Sequence, residues 1–200
     1  MSLPADLQRL ADELAATERA AQALANRVTD EEFFWQPDGG RWSIAHCLMH
    51  LATSATVYGG AVRQGIEKAR QHGWTARGPA RPGFFGRLFV AHLEPPATRK
   101  SKAPAKNQPT VVGTREEVLR AYRAGHEAYR QLLADAAGID TNRATFQNPF
   151  VRVARVRVST GLHVIAAHER RHVWQAEQVE KALRDPLTAR RPDSAAATPR

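Results

Sequence analysis

Four stretches of the chain place apolar residues at the spacing of an α-helix, and segments rich in glycine and proline separate them. The first stretch covers residues 4–27, where apolar positions recur at intervals of three, four and seven, as on one face of a helix. These positions are Leu7, Leu10, Leu14, Ala21 and Leu24. Residues 28–42 follow as a predicted loop, because Pro37 and the pair Gly39-Gly40 interrupt any regular pattern.

Two capping signals locate the next two helices. Ser43 is the expected N-cap of a second helix that runs to about residue 70. Thr114 and Glu117, in the sequence "TREE", have the form of a capping box. They predict a third helix that ends before Gly138.

The connection between those two helices, residues 71–112, contains many glycines and prolines. Connections of this length in compact domains are usually functional or disordered. A short helix is expected at "FFGRLFVAH" (84–92), and the aromatic residues indicate that part of the connection packs on the core.

The last predicted helix runs from about Thr160 to Leu183, because Pro186 limits further extension. Before it, "VRVARVRV" (151–158) alternates as a β-strand does. We see no partner for such a strand, and so we expect an extended approach to the helix. Residues 186–200 are expected to form a disordered basic tail.

The lengths of the connections predict the fold. A long link between the second and third helices lets these two helices run parallel. We therefore expect an all-α fold, a four-helix bundle with one long crossover between helices 2 and 3, in a single domain over residues 1–185.

The net charge is +9, from 29 lysines and arginines against 20 acidic residues. Much of the basic charge lies in residues 97–106 and 184–200, and no helix-turn-helix, RNP or zinc-finger signature accompanies it. Nucleic-acid binding is therefore a minor alternative that rests on electrostatics alone. A single cysteine, Cys47, excludes an internal disulfide and a cysteine-rich zinc site. Without an apolar run of membrane-spanning length or a signal-peptide pattern, we expect a cytoplasmic protein.

Two pairs of histidines stand four residues apart, His46 with His50 in "RWSIAHCLMHL" and His168 with His172 in "AHERRHVWQAEQ". Chance would give about 0.3 such pairs on a simple count of matches. Residues at i and i+4 share a helix face, so each pair can bind one cation. Three neutral imidazoles on one ion leave a position open for water or substrate, which is typical of a catalytic site.

Simpler interpretations exist for each of these polar residues. One such pair alone is more often solvated or at the edge of a core, whereas two pairs on bundle helices favour a metal. Gln175 shares the face of the later pair and is either a hydrogen-bond partner of a ligand or an ordinary polar residue. Glu169 faces a different way and is a poor general base. His72, His92 and His126 have no partner at ligand spacing and are expected at the surface.

The two histidine stretches resemble segments of the DinB/YfiT-like superfamily. "RWSIAHCLMHL" is similar to the family's "WS-x-x-x-x-L-x-H-L" segment, and "LHVIAAHERRHVWQAEQV" is similar to its later "H-x-x-R-H-x-x-Q" segment. The stretches "FFGRLFVAHLEPPATRKSKAPAKNQP" and "NPFVRVARVRVSTGL" also resemble connections in the family's larger branch. The resemblance runs from about Trp42 to Val179.

This resemblance implies a four-helix bundle with helices 2 and 3 parallel, and dimers in many members. It also implies a divalent metal held by three histidines, which fall here on His50, His168 and His172. His46 departs from the family pattern, in which an acidic or amide residue is common. It is either a fourth ligand, a proton-transfer group or an inert neighbour. Three imidazoles suit Zn²⁺ as the first choice and Ni²⁺ as the second.

Relatives include S-transferases and isomerases that use low-molecular-weight thiols, and others are recorded as metal-dependent hydrolases. The leading hypothesis is a metal-dependent enzyme that activates a thiol or water toward a small-molecule substrate, in the thiol S-transferase or hydrolase class. An anionic low-molecular-weight thiol would meet basic residues of the crossover, although a solvated charge patch is the simpler interpretation of them. Those residues are Arg99, Lys100, Lys102 and Lys106. The alternative is a non-catalytic metal- or ligand-binding bundle induced by stress.

Overall fold

A computed structural model describes residues 2–37, 40–97, 103–151 and 153–185 of the chain. Their regular structure is mostly helical, which confirms the all-α prediction. The α-helices are α1 (Ala5–Arg27), α2 (Asp30–Phe34), α3 (Ile44–Gln71), α4 (Phe84–Leu93), α5 (Arg115–Ala136) and α6 (Val158–Leu183). A 3-10 turn covers Ala105–Asn107. Two short strands, β1 (Thr145–Gln147) and β2 (Arg155–Arg157), pair antiparallel.

Hydrogen bonds at the caps confirm the predicted helix starts. Ser43 Oγ accepts a hydrogen bond from the backbone N–H of His46 at 3.2 Å, which satisfies a donor in the first turn of α3. At the start of α5, the Thr114 hydroxyl accepts from the Glu117 N–H, and the Glu117 carboxylate accepts from the Thr114 N–H. After α5, Gly138 has a φ of +83°, a left-handed conformation that glycine adopts at little cost.

The loop predicted over residues 28–42 contains a helical element, α2. Thr29 and Glu32 form a capping box at its start. This signature stands in the sequence as "TDEE" and has the same form as the one that begins α5. Phe33 on this helix is fully buried, so the segment is tied to the core.

The prediction that "VRVARVRV" approaches the last helix as an unpaired segment is wrong. Arg155–Arg157 pairs with Thr145–Gln147, and Phe146 lies opposite Val156. The partner "TFQ" is too short to show an alternating pattern, so tertiary packing decides the pairing. The Phe146 ring packs against Gly161, where an added Cβ would come within 2.7 Å of the ring.

The core contains two apolar clusters, and α1, α3, α5 and α6 contribute to both. Members at one end include Leu10, Ile66, Leu132 and Ile165, and members at the other end include Leu24, Leu48, Val118 and Val173. Between the clusters, the same four helices carry polar side chains, so a polar layer crosses the middle of the core. Its buried residues include Thr17, His50, Ser54, His126, Glu169 and His172. Because buried polar groups are costly unless they are paired, the partners of this layer decide what it does.

The crossover between α3 and α5 brings two further elements to the core. Helix α4 packs along α6 but leaves Phe84, Phe85 and Leu88 exposed. The 3-10 turn contacts α3 and buries the side chain of Asn107. Within the described ranges, every helix is too short or too polar to cross a lipid bilayer.

Two predictions concern residues that lie outside the described ranges. One is the disordered basic tail over residues 186–200, and the other is the basic patch at Arg99, Lys100 and Lys102. Both stay predictions.

Candidate metal centre

Three of the four candidate histidines meet in the polar layer. His50 comes from α3, and His168 and His172 come from successive turns of α6. Their ligand nitrogens all lie within 4.8 Å of one another. Nε2 of His50 lies 3.1 Å from Nε2 of His168, across a sequence separation of 118 residues. The two histidine stretches therefore converge on one point.

A hydrogen bond on the far side of the His50 ring orients that ring. Its Nδ1 lies 2.7 Å from the backbone carbonyl oxygen of Asn107. Since a carbonyl can only accept, Nδ1 carries the proton, and the neutral ring has its lone pair on Nε2, facing His168. The Asn107 side chain exchanges two hydrogen bonds with Ser54, at 2.8 and 3.1 Å, which hold the turn in place. Such an acceptor behind the ring is usual for metal-binding imidazoles.

Gln175 holds His172 in the same manner. Nδ1 of His172 lies 3.0 Å from Oε1 of Gln175, so an amide oxygen accepts the Nδ1 proton and Nε2 keeps the lone pair. The indole of Trp42 packs against both rings, with its centroid 4.8 Å from that of His50 and 5.6 Å from that of His172. These contacts restrict the rings to orientations that bring their nitrogens together.

Burial keeps the three imidazoles neutral at physiological pH. Desolvation lowers the pKa of His50 to about 4, although the hydrogen bond to Asn107 acts in the opposite direction. The pKa of His168 is lowered to about 3, first by burial and then by the nearby His50 and Arg171. Burial, followed by the neighbouring histidines, also holds the pKa of His172 well below its ordinary value. Each ring therefore offers a lone pair rather than a positive charge.

The donor set fits a divalent transition-metal ion. Two imidazole nitrogens at about 2.0–2.1 Å from a tetrahedral zinc ion lie roughly 3.3 Å apart. The three nitrogens here lie within 4.8 Å of one another, so small rotations of the rings suffice to bring them into range. Three protein ligands leave a fourth position for a small molecule, as in catalytic zinc sites.

His46, the fourth candidate, lies one turn away on α3. Its Nδ1 is 2.7 Å from Ser43 Oγ at the start of the helix, and the three-nitrogen group does not include it. Burial lowers the pKa of His46. The neighbouring Cys47 is fully buried, and this burial raises the pKa of its thiol, which disfavours the nucleophilic thiolate.

The prediction that His126 is a surface residue is wrong. It is 1% exposed, and its Nε2 lies 2.7 Å from Oε2 of Glu169. The Tyr122 hydroxyl donates to the same carboxylate oxygen at 3.4 Å. The position of His126 four residues after Tyr122, on the apolar face of α5, is the signal that predicts its burial. His72 and His92 are exposed, as predicted.

A cavity of about 680 Å³ opens beside the three histidines. Its walls are largely apolar, and α4, the 3-10 turn and the loop between the strands contribute to them together with α3 and α6. Aromatic residues in the walls include Trp42, Phe89, Phe150 and Trp174. The crossover and the hairpin, which are the least regular parts of the sequence, therefore shape the space in front of the ligands.

Several residues that support the site have no signal in the sequence. Asn107 lies 57 residues from His50 in a proline-rich segment, and no spacing rule links the two. Arg171 is the arginine of the "H-x-x-R-H-x-x-Q" segment, but its place in the cavity wall follows only from the structure. Only Gln175, which shares a helix face with His172, follows from local geometry.

Comparison with known families agrees with the fold and with these stretches. The family model described as the DinB superfamily matches residues 13–176, most of the chain. The chain belongs to the DinB superfamily. The part of this DinB-superfamily protein that matches includes α3 and the histidines His168 and His172 of α6. Comparison with curated proteins and with solved structures gives no match.

Proposed function

We propose that this DinB-superfamily protein is a divalent-metal-dependent enzyme whose ion is held by His50, His168 and His172. The observation that carries the proposal is the convergence of three imidazole nitrogens within 4.8 Å of one another, on the wall of a cavity. Lowered pKa values keep the three rings neutral, so each has a lone pair to offer. Three such ligands leave one position of a tetrahedral ion for a reactant.

The bound metal would supply a Lewis acid that lowers the pKa of a water or thiol. The chain's own residues orient the ligand rings and keep water away from a bound substrate. The Asn107 carbonyl and the Gln175 amide hold the rings of His50 and His172 by their Nδ1 atoms. Apolar walls around Trp42 exclude water from the surface of a bound small-molecule substrate. This arrangement suits a thiol S-transferase or a hydrolase.

Zn²⁺ is the first choice of ion and Ni²⁺ the second, because three neutral imidazoles suit both. In the transferase version of the proposal, a low-molecular-weight thiol is the second small molecule. His46 is our candidate for proton transfer, since it lies one turn before His50 on α3 and is only partly buried.

We also propose the finer architecture, in which α1, α3, α5 and α6 form a four-helix bundle and α3 runs parallel to α5. Two contacts between α3 and α5 support this direction, because the contact later along α3 is also the one later along α5. A Cβ at Gly125 would lie 3.0 Å from Ala55 Cβ, and Arg63 lies 2.9 Å from the Asp135 carboxylate further along both helices. A homodimer, a single domain over residues 1–185 and a cytoplasmic location stay predictions from the resemblance and the composition.

A non-catalytic metal- or ligand-binding bundle, induced by stress, is the second candidate. One observation favours it: among the described residues that line the cavity, none is aspartate or glutamate. Among these described lining residues, no carboxylate is therefore placed to act as a general base beside the histidines. A binding protein needs no such group.

The test is the metal content of the untagged full-length protein, measured by elemental mass spectrometry. We expect about one Zn or Ni per chain in the wild type and almost none in His50→Ala or His168→Ala. His92→Ala is the matched control, because its side chain is exposed and outside the three-nitrogen group. Equal metal content in His168→Ala and His92→Ala would contradict the proposal. Metal-loaded protein that turns over neither thiol–electrophile pairs nor esters would favour the binding protein.

A further inference from the structure

The described wall of the cavity beside the three histidines contains cationic side chains. Among the described side chains that line it, Arg41 and Arg171 are charged, and none is acidic. A divalent ion bound by the three histidines would add further positive charge. The positive charge of these two side chains favours an anionic ligand over a cationic one.

Arg171 is the better placed of the two arginines. It is 9% exposed, and its guanidinium NH1 donates to the backbone carbonyl oxygen of His92 at 3.2 Å, which anchors it between α6 and the end of α4. It directly precedes His172 on α6, and its side chain lines the same cavity as the three histidines. Arg41, by contrast, is exposed. The charge of Arg171 is therefore less screened by water than that of Arg41.

The other walls of the cavity favour an apolar group. Phe89 and Leu93 of α4 face Val164 and Ile165 of α6 around this space, together with the aromatic residues named above. The volume of about 680 Å³ lies within the range of about 300–1,000 Å³ that small-molecule sites occupy. An anion as small as acetate would leave most of these apolar walls uncovered, whereas a larger body would bury them.

We propose that this site takes an amphipathic anion, with a carboxylate, sulfonate or phosphate group at Arg171 and an apolar body against the cavity walls. The guanidinium of Arg171 can donate charge-assisted hydrogen bonds to the oxygens of such a group. That the anion is a substrate rests on the proposed function. Its binding rests on the cavity alone and does not require the metal.

The test compares two fluorescent probes with the same aromatic skeleton. These are 1-anilinonaphthalene-8-sulfonate and N-phenyl-1-naphthylamine, which lacks the sulfonate. Both are titrated into the full-length protein, as purified and after treatment with a chelator. We expect Arg171→Met to raise the dissociation constant of the sulfonate probe about tenfold relative to that of the neutral probe. Arg171→Lys should raise it less. Arg120→Met, which removes an exposed charge from α5, is the matched control and should leave the ratio unchanged.

Both probes also respond to exposed apolar faces such as that of α4, but binding there does not depend on Arg171. An unchanged ratio in Arg171→Met would therefore overturn the proposal. A measurement on the wild type covers the case in which this variant fails to fold. Octanoate should displace the bound sulfonate probe at lower concentration than octan-1-ol, and equal or weaker displacement by octanoate would overturn the proposal.

The chelator arm separates this inference from the metal proposal. If the protein retains no metal but the probe ratio depends on Arg171, the anion site stands and the metal-dependent function falls. If metal is retained in the expected histidine-dependent manner but the ratio ignores Arg171, the metal site stands and the anion site falls.

Discussion

The polar layer of the core holds two clusters that contain histidine. They differ in the group that accepts a hydrogen bond from the imidazole ring. Behind His50 and His172 the acceptors are neutral, a backbone carbonyl and an amide oxygen. Beside His126 the acceptor is the buried carboxylate of Glu169, 2.7 Å away. The first cluster brings its ring nitrogens together beside a cavity. The second cluster is closed between α5 and α6.

The comparison shows how two consecutive residues of one helix serve different purposes. His168 and Glu169 point about 100° apart around α6, because 3.6 residues make a turn. His168 therefore faces α3, and Glu169 faces α5. A carboxylate that binds an imidazole proton stabilises the pair only while both partners are present. We propose that the first cluster binds a metal ion and that the second holds α5 against α6.

The largest effect should come from breaking the second cluster. Glu169→Ala leaves His126 buried without its partner, and we expect the free energy of unfolding to fall by about 3–5 kcal/mol. Urea unfolding of the metal-free protein measures this loss. The double variant Glu169→Leu with His126→Phe removes both polar groups and should recover most of it. A double variant as unstable as Glu169→Ala would show that the pair itself is not the cause.

Metal should stabilise the protein through the first cluster alone. At a free zinc concentration 100 times the dissociation constant, the gain in the free energy of unfolding is about 2.7 kcal/mol. We expect His172→Ala to lose this gain. Glu169→Gln should be less stable than the wild type without zinc but should show the same gain when zinc is added. Thermal unfolding with and without zinc measures both. A gain of similar size in His172→Ala would erase the distinction between the two clusters.

The neutral acceptor behind His172 should affect metal affinity more than fold stability. Gln175→Ala removes the oxygen that receives the Nδ1 proton, and loss of such a partner typically weakens metal binding by about 10–100-fold. Competition with a chelating dye measures the zinc affinity. Gln178→Ala is the matched control, because this residue also lines the cavity but donates to the Trp174 carbonyl instead. Equal affinities in the two variants would contradict the role of Gln175.

The smallest expected effect is a pH dependence of the free energy of unfolding of the metal-free protein. The pKa of His50 is about 4 in the folded chain and about 6.5 in an unfolded one. Between these values the unfolded chain binds more protons, so the free energy of unfolding falls as the pH drops from 6.5 toward 4. The contribution is up to about 1.4 kcal/mol per pH unit for this histidine. Urea unfolding across this window, with chelator present, should show a smaller slope in His50→Gln; an unchanged slope would contradict the neutral ligand cluster.

Local chemistry predicted much of the fold. The caps at Ser43 and Thr114 lie where their hydroxyls predict helix starts, since a cap joins groups within one turn. The two-stranded sheet did not follow, because the alternation after residue 150 has a three-residue partner that carries no pattern of its own. The burial of His126 could have been predicted from its place on the apolar face of α5, but its carboxylate partner lies 43 residues away.

The sequence by itself determined the long helices and the two histidine pairs, because both depend on relations within a turn or two of the same helix. Only the tertiary structure decided that His50, and not His46, joins His168 and His172. It also decided that the Asn107 carbonyl lies behind His50. The physical reason is distance along the chain: groups that are 57 or 118 residues apart meet only when the helices pack and the crossover closes over them. The periodicity of residues within a single helix does not predict that packing.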